Sequence, residues 1–425
     1  MMRGCSVLRT NARALLYFLW PFTPRLVGFR TRLPPLAPSD LRARPRSQGD
    51  MYKLYLLRVA VTVAPIPLVI NLTTIWDLSD VPVNCGTDYR FRTRADLGRV
   101  MRCLRLPPMI QLSNGQWIQR ERAFLYFIRR MASVMTVNQL ITIGFGGDPP
   151  LWGRVLDFMA KHIADTLGFK LDPANIGFFS NRFNLYSEAI RNKVNEYHVA
   201  WNIGAPPLFP VAGSFLPFAF LDGNCTSSST PGTGPAHPGP GAPRRPNAAL
   251  IQESFFTGWT YTHGIKHLTL DGPDGLALFC WGPASIRRND LWLLHNSHEN
   301  FFVGQAQLHV HLAARKVMYG DSIFPWRDCL RSRHHATIAD PLKVWKDDVD
   351  RGLSSSRELV EHHYGEADQQ WPYMAYDPKL KIGNKDLASL YTSKMLLRNF
   401  YVCLYGNKTS ERFACTPPEL EAYAA

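Results

Sequence analysis

Paired cysteines are missing. The eight cysteines stand at 5, 85, 103, 225, 280, 329, 403 and 415, with no C-x-x-C pair and no regular spacing. Such scatter argues against a disulfide framework and a cysteine zinc site, and points to a reducing compartment. The sequons at Asn71, Asn224 and Asn407 then read as chance matches to a short pattern. A clean apolar span is missing as well. The stretch 54–70 is broken by Arg58, Pro65 and Pro67, so no membrane crossing is expected. Acids are in deficit, with 34 Asp and Glu against 48 Lys and Arg, which leaves a formal charge of +14. That balance favours polyanionic partners, nucleic acid before an anionic membrane. What is present is a globular composition: 425 residues, 46% of them hydrophobic, enough for about two or three domains.

Residues 1–50 stand apart as an Arg-rich extension almost free of acids. A disordered basic arm is expected there, and an organelle transit peptide is the alternative. Residues 86–170 read as helical. "RERAFLYFIRRMAS" (120–133) places Ala123, Phe124, Phe127 and Ile128 on one face with arginines opposite. In "TVNQLI", Thr136 and Gln139 have the spacing of a capping box. "GFGGDPP" (144–150) breaks the chain, and Trp152, Val155, Leu156, Met159, Ile163 and Leu167 then recur at helical spacing. Helix, short helix, Gly-rich break and helix suit a helix-turn-helix-like region or a plain bundle. A phosphate-binding loop is rejected, because no Gly-Lys-Ser/Thr follows the glycines.

From about 205 the period changes. "SFLPFAFLDGN" (214–224) is a continuous apolar run, as in a strand covered on both faces. Residues 226–247 are rich in Pro, Gly and Ser and predict a disordered insertion. Two strand-like runs flank "DGPDG" at 271–275, which is a hairpin signal. "RKVMYGDSIF" (315–324) is a further strand ending at an acid. Ser355 and Glu358 have capping-box spacing, so a helix is expected from 354 to 371, with Val360, Tyr364, Ala367 and Trp371 as its buried stripe. The fold class expected is α/β: a mixed sheet flanked by helices over 205–405, preceded by an all-α region.

Three acids share one feature, in that each sits on an element that also packs the core. Asp222 and Asp321 end apolar strands, and Glu361 lies one residue from the helix stripe. Ligands gather at the carboxyl ends of strands in open sheets. Three carboxylates meeting there would repel unless a cation lay between them. Each also has an ordinary reading. Asp222–Gly223 is a common turn dipeptide, Asp321 suits a helix cap, and Glu361 follows Arg357 by four residues, as in a surface pair.

The flanking residues add a resemblance. "FLDGN" (220–224), "RRPN" (244–247), "THGIKHLTLDGPDGL" (262–276), "GPASIRRND" (282–290), "YGDSIF" (319–324) and "RELVEHHYG" (357–365) follow one another in order, with Trp371 beyond. This stretch resembles the Harbinger-type (PIF) transposases, a branch of the DDE endonuclease superfamily. The resemblance implies a ribonuclease H-like core and an Asp-Asp-Glu triad of Asp222, Asp321 and Glu361 as metal ligands. It also implies Mg²⁺ or Mn²⁺, two ions, as cofactor. Asp290 and Arg357 fall at positions that suggest auxiliary roles. DNA would be the substrate and the nucleus the compartment, with a Myb-like DNA-binding partner and a homo-oligomer conceivable. The long insertion and the N-terminal fifty residues depart from the family pattern, so a catalytically inactive DNA- or protein-binding derivative is the alternative. A basic structural protein of unrelated fold would require the ordered motifs to be coincidence.

Other polar groups carry less. His263 and His267 suit strand histidines satisfied by hydrogen bonds. His309 and His311 share a face, and His334–His335 and His362–His363 are adjacent pairs that zinc seldom uses. Arg129, Arg130, Arg154, Lys161, Arg244, Arg245, Arg287, Arg288, Arg331 and Arg333 are candidate phosphate contacts or simply a solvated surface.

Overall fold

Periodic apolar spacing builds the N-terminal part of the structure into helices, and a computed structural model shows how they meet a sheet. It describes residues 75–201, 216–229, 252–296, 316–326, 329–334, 338–375, 382 and 385–425, without the side chains of 359 and 360. The predicted N-terminal arm, most of the 226–247 insertion, Arg244, Arg245, His309, His311, His335 and the Val360 side chain lie outside the described residues.

Helices α1 (Gly86–Tyr89) and α2 (Arg94–Cys103) lead to α3 (Arg120–Met131), α4 (Val137–Leu140) and α5 (Pro149–Leu167). The Thr136–Gln139 capping box forms as read, and Asp148 caps α5 ahead of prolines at its first turn. The chain breaks between them, with Gly144, Gly146 and Gly147 at positive φ. All six apolar residues of the α5 stripe are buried. Helix α3 departs from the expected single face. Leu125, Tyr126 and Arg130 are buried along with the predicted four, because neighbours cover nearly the whole helix. The region is not all-α either. Strands β1 (Met109–Gln111) and β2 (Trp117–Gln119) form an antiparallel hairpin around Asn114–Gly115.

After α6 (Phe183–Ala200) come β3 (Leu216–Ser228), β4 (Phe256–Thr257), β5 (Thr262–Asp271) and β6 (Ala277–Ser285). Then follow α7 (Asp290–Asn296), β7 (Lys316–Gly320) and β8 (Leu330–Arg331). The chain closes with α8 (Lys343–Gln370), α9 (Leu387–Tyr405), α10 (Lys408–Arg412) and α11 (Leu420–Ala424). The sheet is mixed. β6 pairs antiparallel with β5, β5 with β3, and β3 runs parallel to β7 and β7 to β8. The hairpin at 271–275 is the β5–β6 turn. Helices flank the sheet: α6 and α8 pack on β3, and α9 packs on β6 and α5. Residues 70–425 form one compact unit. Among the described residues no helix is long and apolar enough to cross a membrane.

Two boundaries correct the sequence reading. The predicted insertion begins as strand, because Thr226–Ser228 continue the ladder to β5. Helix α8 starts at Lys343, eleven residues before the expected 354, so Ser355 and Glu358 lie within the helix rather than capping it. At Gly352 a Cβ would stand 2.3 Å from Val194 Cγ1, so the glycine serves close approach of α8 to α6.

Candidate functional site

The parallel register of β3 and β7 ends at the pair Leu221 and Gly320. The next residue on each strand is an aspartate, Asp222 and Asp321, so the ladder delivers two carboxylates side by side. Asp321 is exposed although it ends a buried strand, and its carboxylate accepts the Ser322 N–H at 2.7 Å. Glu361 comes from the middle of α8, one turn after Arg357. The surface pair read from the i, i+4 spacing does form, yet the guanidinium reaches further. Arg357 Nη1 lies 3.7 Å from Asp222 Oδ1 and contacts Glu361 Oε1, while Nη2 lies 3.8 Å from Asp321 Oδ1. One cation therefore touches all three acids predicted from sequence, which come from three different elements.

The charge is unbalanced. A single guanidinium faces three carboxylates, and Asp222 is three-quarters removed from solvent, with a side chain 23% exposed. Burial pushes its carboxyl up to about 7, Arg357 and the Gly223 amide oppose that, and Glu361 and Asp290 add to it. Hard divalent cations take such oxygen donors, so the donor set fits Mg²⁺ or Mn²⁺. Among the described residues no three His, Cys, Asp or Glu side chains close around a point as they stand. Arg357 holds the central position between the acids.

Behind the carboxylates lies a polar layer that sequence reasoning largely missed. Thr269 is the register partner of Asp222 on β5. Its hydroxyl donates to Asp271 Oδ2 at 3.2 Å and contacts the Tyr364 hydroxyl. Tyr364 in turn reaches Asp271 Oδ2 at 3.4 Å and the Asp222 backbone carbonyl at 3.5 Å. His363 Nδ1 sits 2.8 Å from Asp271 Oδ1, both side chains fully buried. Burial and the nearby Arg398 hold His363 below its usual pKa, against the pull of Asp271. Deeper still, Asn224 donates to Tyr391 at 2.7 Å, and His267 stacks on that ring at 3.6 Å and 4°. These contacts join the faces of β3 and β5 to α8 and α9. A helix that carries Glu361 is thus fixed against the strand that carries Asp222. The usable signal was alternation: Thr269 and Asp271 share a strand face with Asp222, and Tyr364 follows Glu361 by three residues.

The remaining candidates are engaged within the protein. Asp290, the first residue of α7, pairs with Lys266 at 2.8 Å. A Cβ on Gly223 would stand 1.9 Å from its Oδ1, and alternation along β3 puts that side opposite Asp222. Asp290 therefore lies on the other side of the strand from Asp222, where it does not meet Arg357 but is near enough to add to the charge on Asp222. Arg129 pairs with Asp88, Arg287 with Glu253 and Arg333 with Asp350, and Lys161 pairs with Asp165 at 3.0 Å. Arg130 is buried against Met135 and Tyr373, Arg154 donates to Gln116, and Arg288 lies over Trp292. His334 binds Asp350 at 2.7 Å.

Comparison of the chain with family models, with curated proteins and with solved structures gives no match.

Proposed function

We propose that the protein is a metal-dependent DNA endonuclease of transposase-like type, with Asp222, Asp321 and Glu361 as its metal ligands. The observation that carries the reading is the meeting of three carboxylates, distant in sequence, on one guanidinium. The mixed sheet supports a ribonuclease H-like core. Three antiparallel strands continue into two parallel ones, and the acids stand where the parallel register ends. Helices α3 to α5, with their Gly-rich break, are the proposed helix-turn-helix-like region. The net charge of +14 suits DNA as substrate and fits work in the nucleus, alone or with a Myb-like DNA-binding partner.

Two divalent ions, when bound, supply an activated water and stabilisation of the leaving oxygen. The chain's own residues do the rest. Asp222, Asp321 and Glu361 would hold the ions by hard oxygen donors. The Tyr364–Thr269–Asp271 layer ties the segment of α8 that carries Glu361 to the strands that carry Asp222 and Asp271. Arg357, which lies among these carboxylates, would present its fork of donors to a phosphate brought to them.

Plasmid DNA incubated with the purified chain and Mg²⁺ or Mn²⁺ tests the reading. Nicking by the wild type that disappears in Asp321→Ala is the expected result, and equal nicking by both proteins would refute it. One observation favours a second reading, a DNA-binding derivative without cleavage: the cation position is held by Arg357. Wild-type protein that binds the plasmid and never nicks it would select that alternative.

A further inference from the structure

A cavity of about 420 Å³ opens beside Glu361, between α8 and α10. Glu361, His362, Glu366 and Gln369 form one wall, and Lys408 and Arg412 form the other. The two acids are already engaged, Glu361 by Arg357 and Glu366 by the Asn407 amide at 3.2 Å. Lys408 and Arg412 are exposed and, among the described residues, enter no ion pair. They stand four residues apart, so they share one face of α10. The formal charges of the lining balance, two acids against two bases, and they are segregated: the acids lie on the α8 wall and the bases on the α10 wall.

The basic wall is held in place by three contacts. Phe413, just past α10, packs on Phe220 of β3 with ring centroids 6.1 Å apart, and Phe220 precedes Asp222 by two residues. Asn407 binds α8 through Glu366. Its amide also fills the space over Gly275 in the β5–β6 turn, where a Cβ would be 2.2 Å from Asn407 Oδ1. The two cations are therefore fixed relative to the strand and the helix that carry Asp222 and Glu361.

We propose that this cavity is a binding subsite for the DNA backbone next to the scissile phosphate, with Lys408 and Arg412 each taking a phosphate. This rests on the nuclease reading, since Glu361 belongs both to the proposed cleavage site and to the wall of the cavity. Neutralising two phosphates releases their counterions, and each contact contributes about 0.9 to the slope of log K against log salt.

Fluorescence anisotropy of a labelled DNA duplex in EDTA, over a KCl series, tests the subsite without any cleavage. The proteins are the full chain, the double variant Lys408→Gln/Arg412→Gln, the charge-keeping Lys408→Arg/Arg412→Lys, and Lys343→Gln. Lys343 is the control, because it pairs with Asp347 at the far end of α8. Thermal melts establish that each variant is folded. In the double Gln variant the salt slope should fall by about 1.8, and affinity at low salt should fall at least tenfold. The charge-keeping variant and the control should stay close to wild type. An unchanged slope in the double Gln variant, an equal loss in the control, or no DNA binding by the wild type would overturn the subsite. Failure of the nuclease reading looks different: the slope changes as expected and no protein nicks DNA in Mg²⁺.

Discussion

Arg357 sets the state of the site at the scale of single residues. Its side chain is 17% exposed and stands between carboxylates that are 23%, 52% and 36% exposed. Arg357→Gln leaves those charges facing one another with no cation between them. In EDTA the variant should lose about 2 kcal/mol of stability, less than a fully buried pair would because the acids are partly solvated. Mg²⁺ should then raise its melting temperature more than that of the wild type, since no guanidinium has to be displaced. Equal Mg²⁺ shifts in the two proteins would contradict that role. His267 makes a second prediction. Burial, with Lys394 nearby, lowers its pKa to about 3. The unfolded chain binds a proton below about pH 6.5 that the folded chain refuses, so stability falls as the pH drops from 6.5 towards 3. Between pH 6.5 and 5 the difference is about 2 kcal/mol, and His267→Gln should flatten the urea-derived profile by that amount. A slope identical to wild type would show that the imidazole is not held neutral. The sequence told of the three acids, because each ends or faces an apolar element. It placed His267 on a strand, as the structure does, but the expected hydrogen bonds give way to stacking on Tyr391, with Nδ1 left unpartnered. The burial of His267 and His363 was not legible, because adjacent or alternating histidines look alike whether buried or solvated.

Elements were legible where periodicity was long and capped. The stripe of α5 and the run of β3 have enough apolar residues to fix their faces, and the Asp-Gly turn at 271–275 marks where the β5–β6 ladder folds back. The β1–β2 hairpin was missed, since each strand has three residues and buries only Ile110 or Ile118. The start of α8 was misplaced because Gly352 and the serines after it look like a break. Packing of Gly352 on Val194 overrides that propensity. Docking of α10 is testable in the same terms. Gly275→Ala introduces a Cβ at φ +83 that collides with Asn407, whereas Gly115→Ala has φ +84 and nothing within 4 Å. Both carry backbone strain of about 1 kcal/mol, and only the first also displaces α10. Urea unfolding should show Gly275→Ala less stable than Gly115→Ala by at least about 1 kcal/mol. Equal losses would mean that Asn407 is free to move.

At the scale of the molecule, an α/β class with a mixed sheet was readable from the change of period near 205, and the structure bears it out. The helical region and the sheet belong to one compact unit, and what joins them is the packing of α5 on α9, a contact between segments far apart in sequence. No local pattern announces such a contact. The central claim is that Asp222, Asp321 and Glu361 form one cation site. Titration of the metal-free full chain with Mn²⁺, followed by loss of the free-ion electron paramagnetic resonance signal, tests it most directly. The wild type should bind, Asp222→Asn, Asp321→Asn and Glu361→Gln should each weaken binding by about tenfold or more, and Asp290→Asn, behind the strand, should change it little. A free-ion signal that the wild type leaves undiminished, or three carboxylate variants that bind like the wild type, would contradict the account.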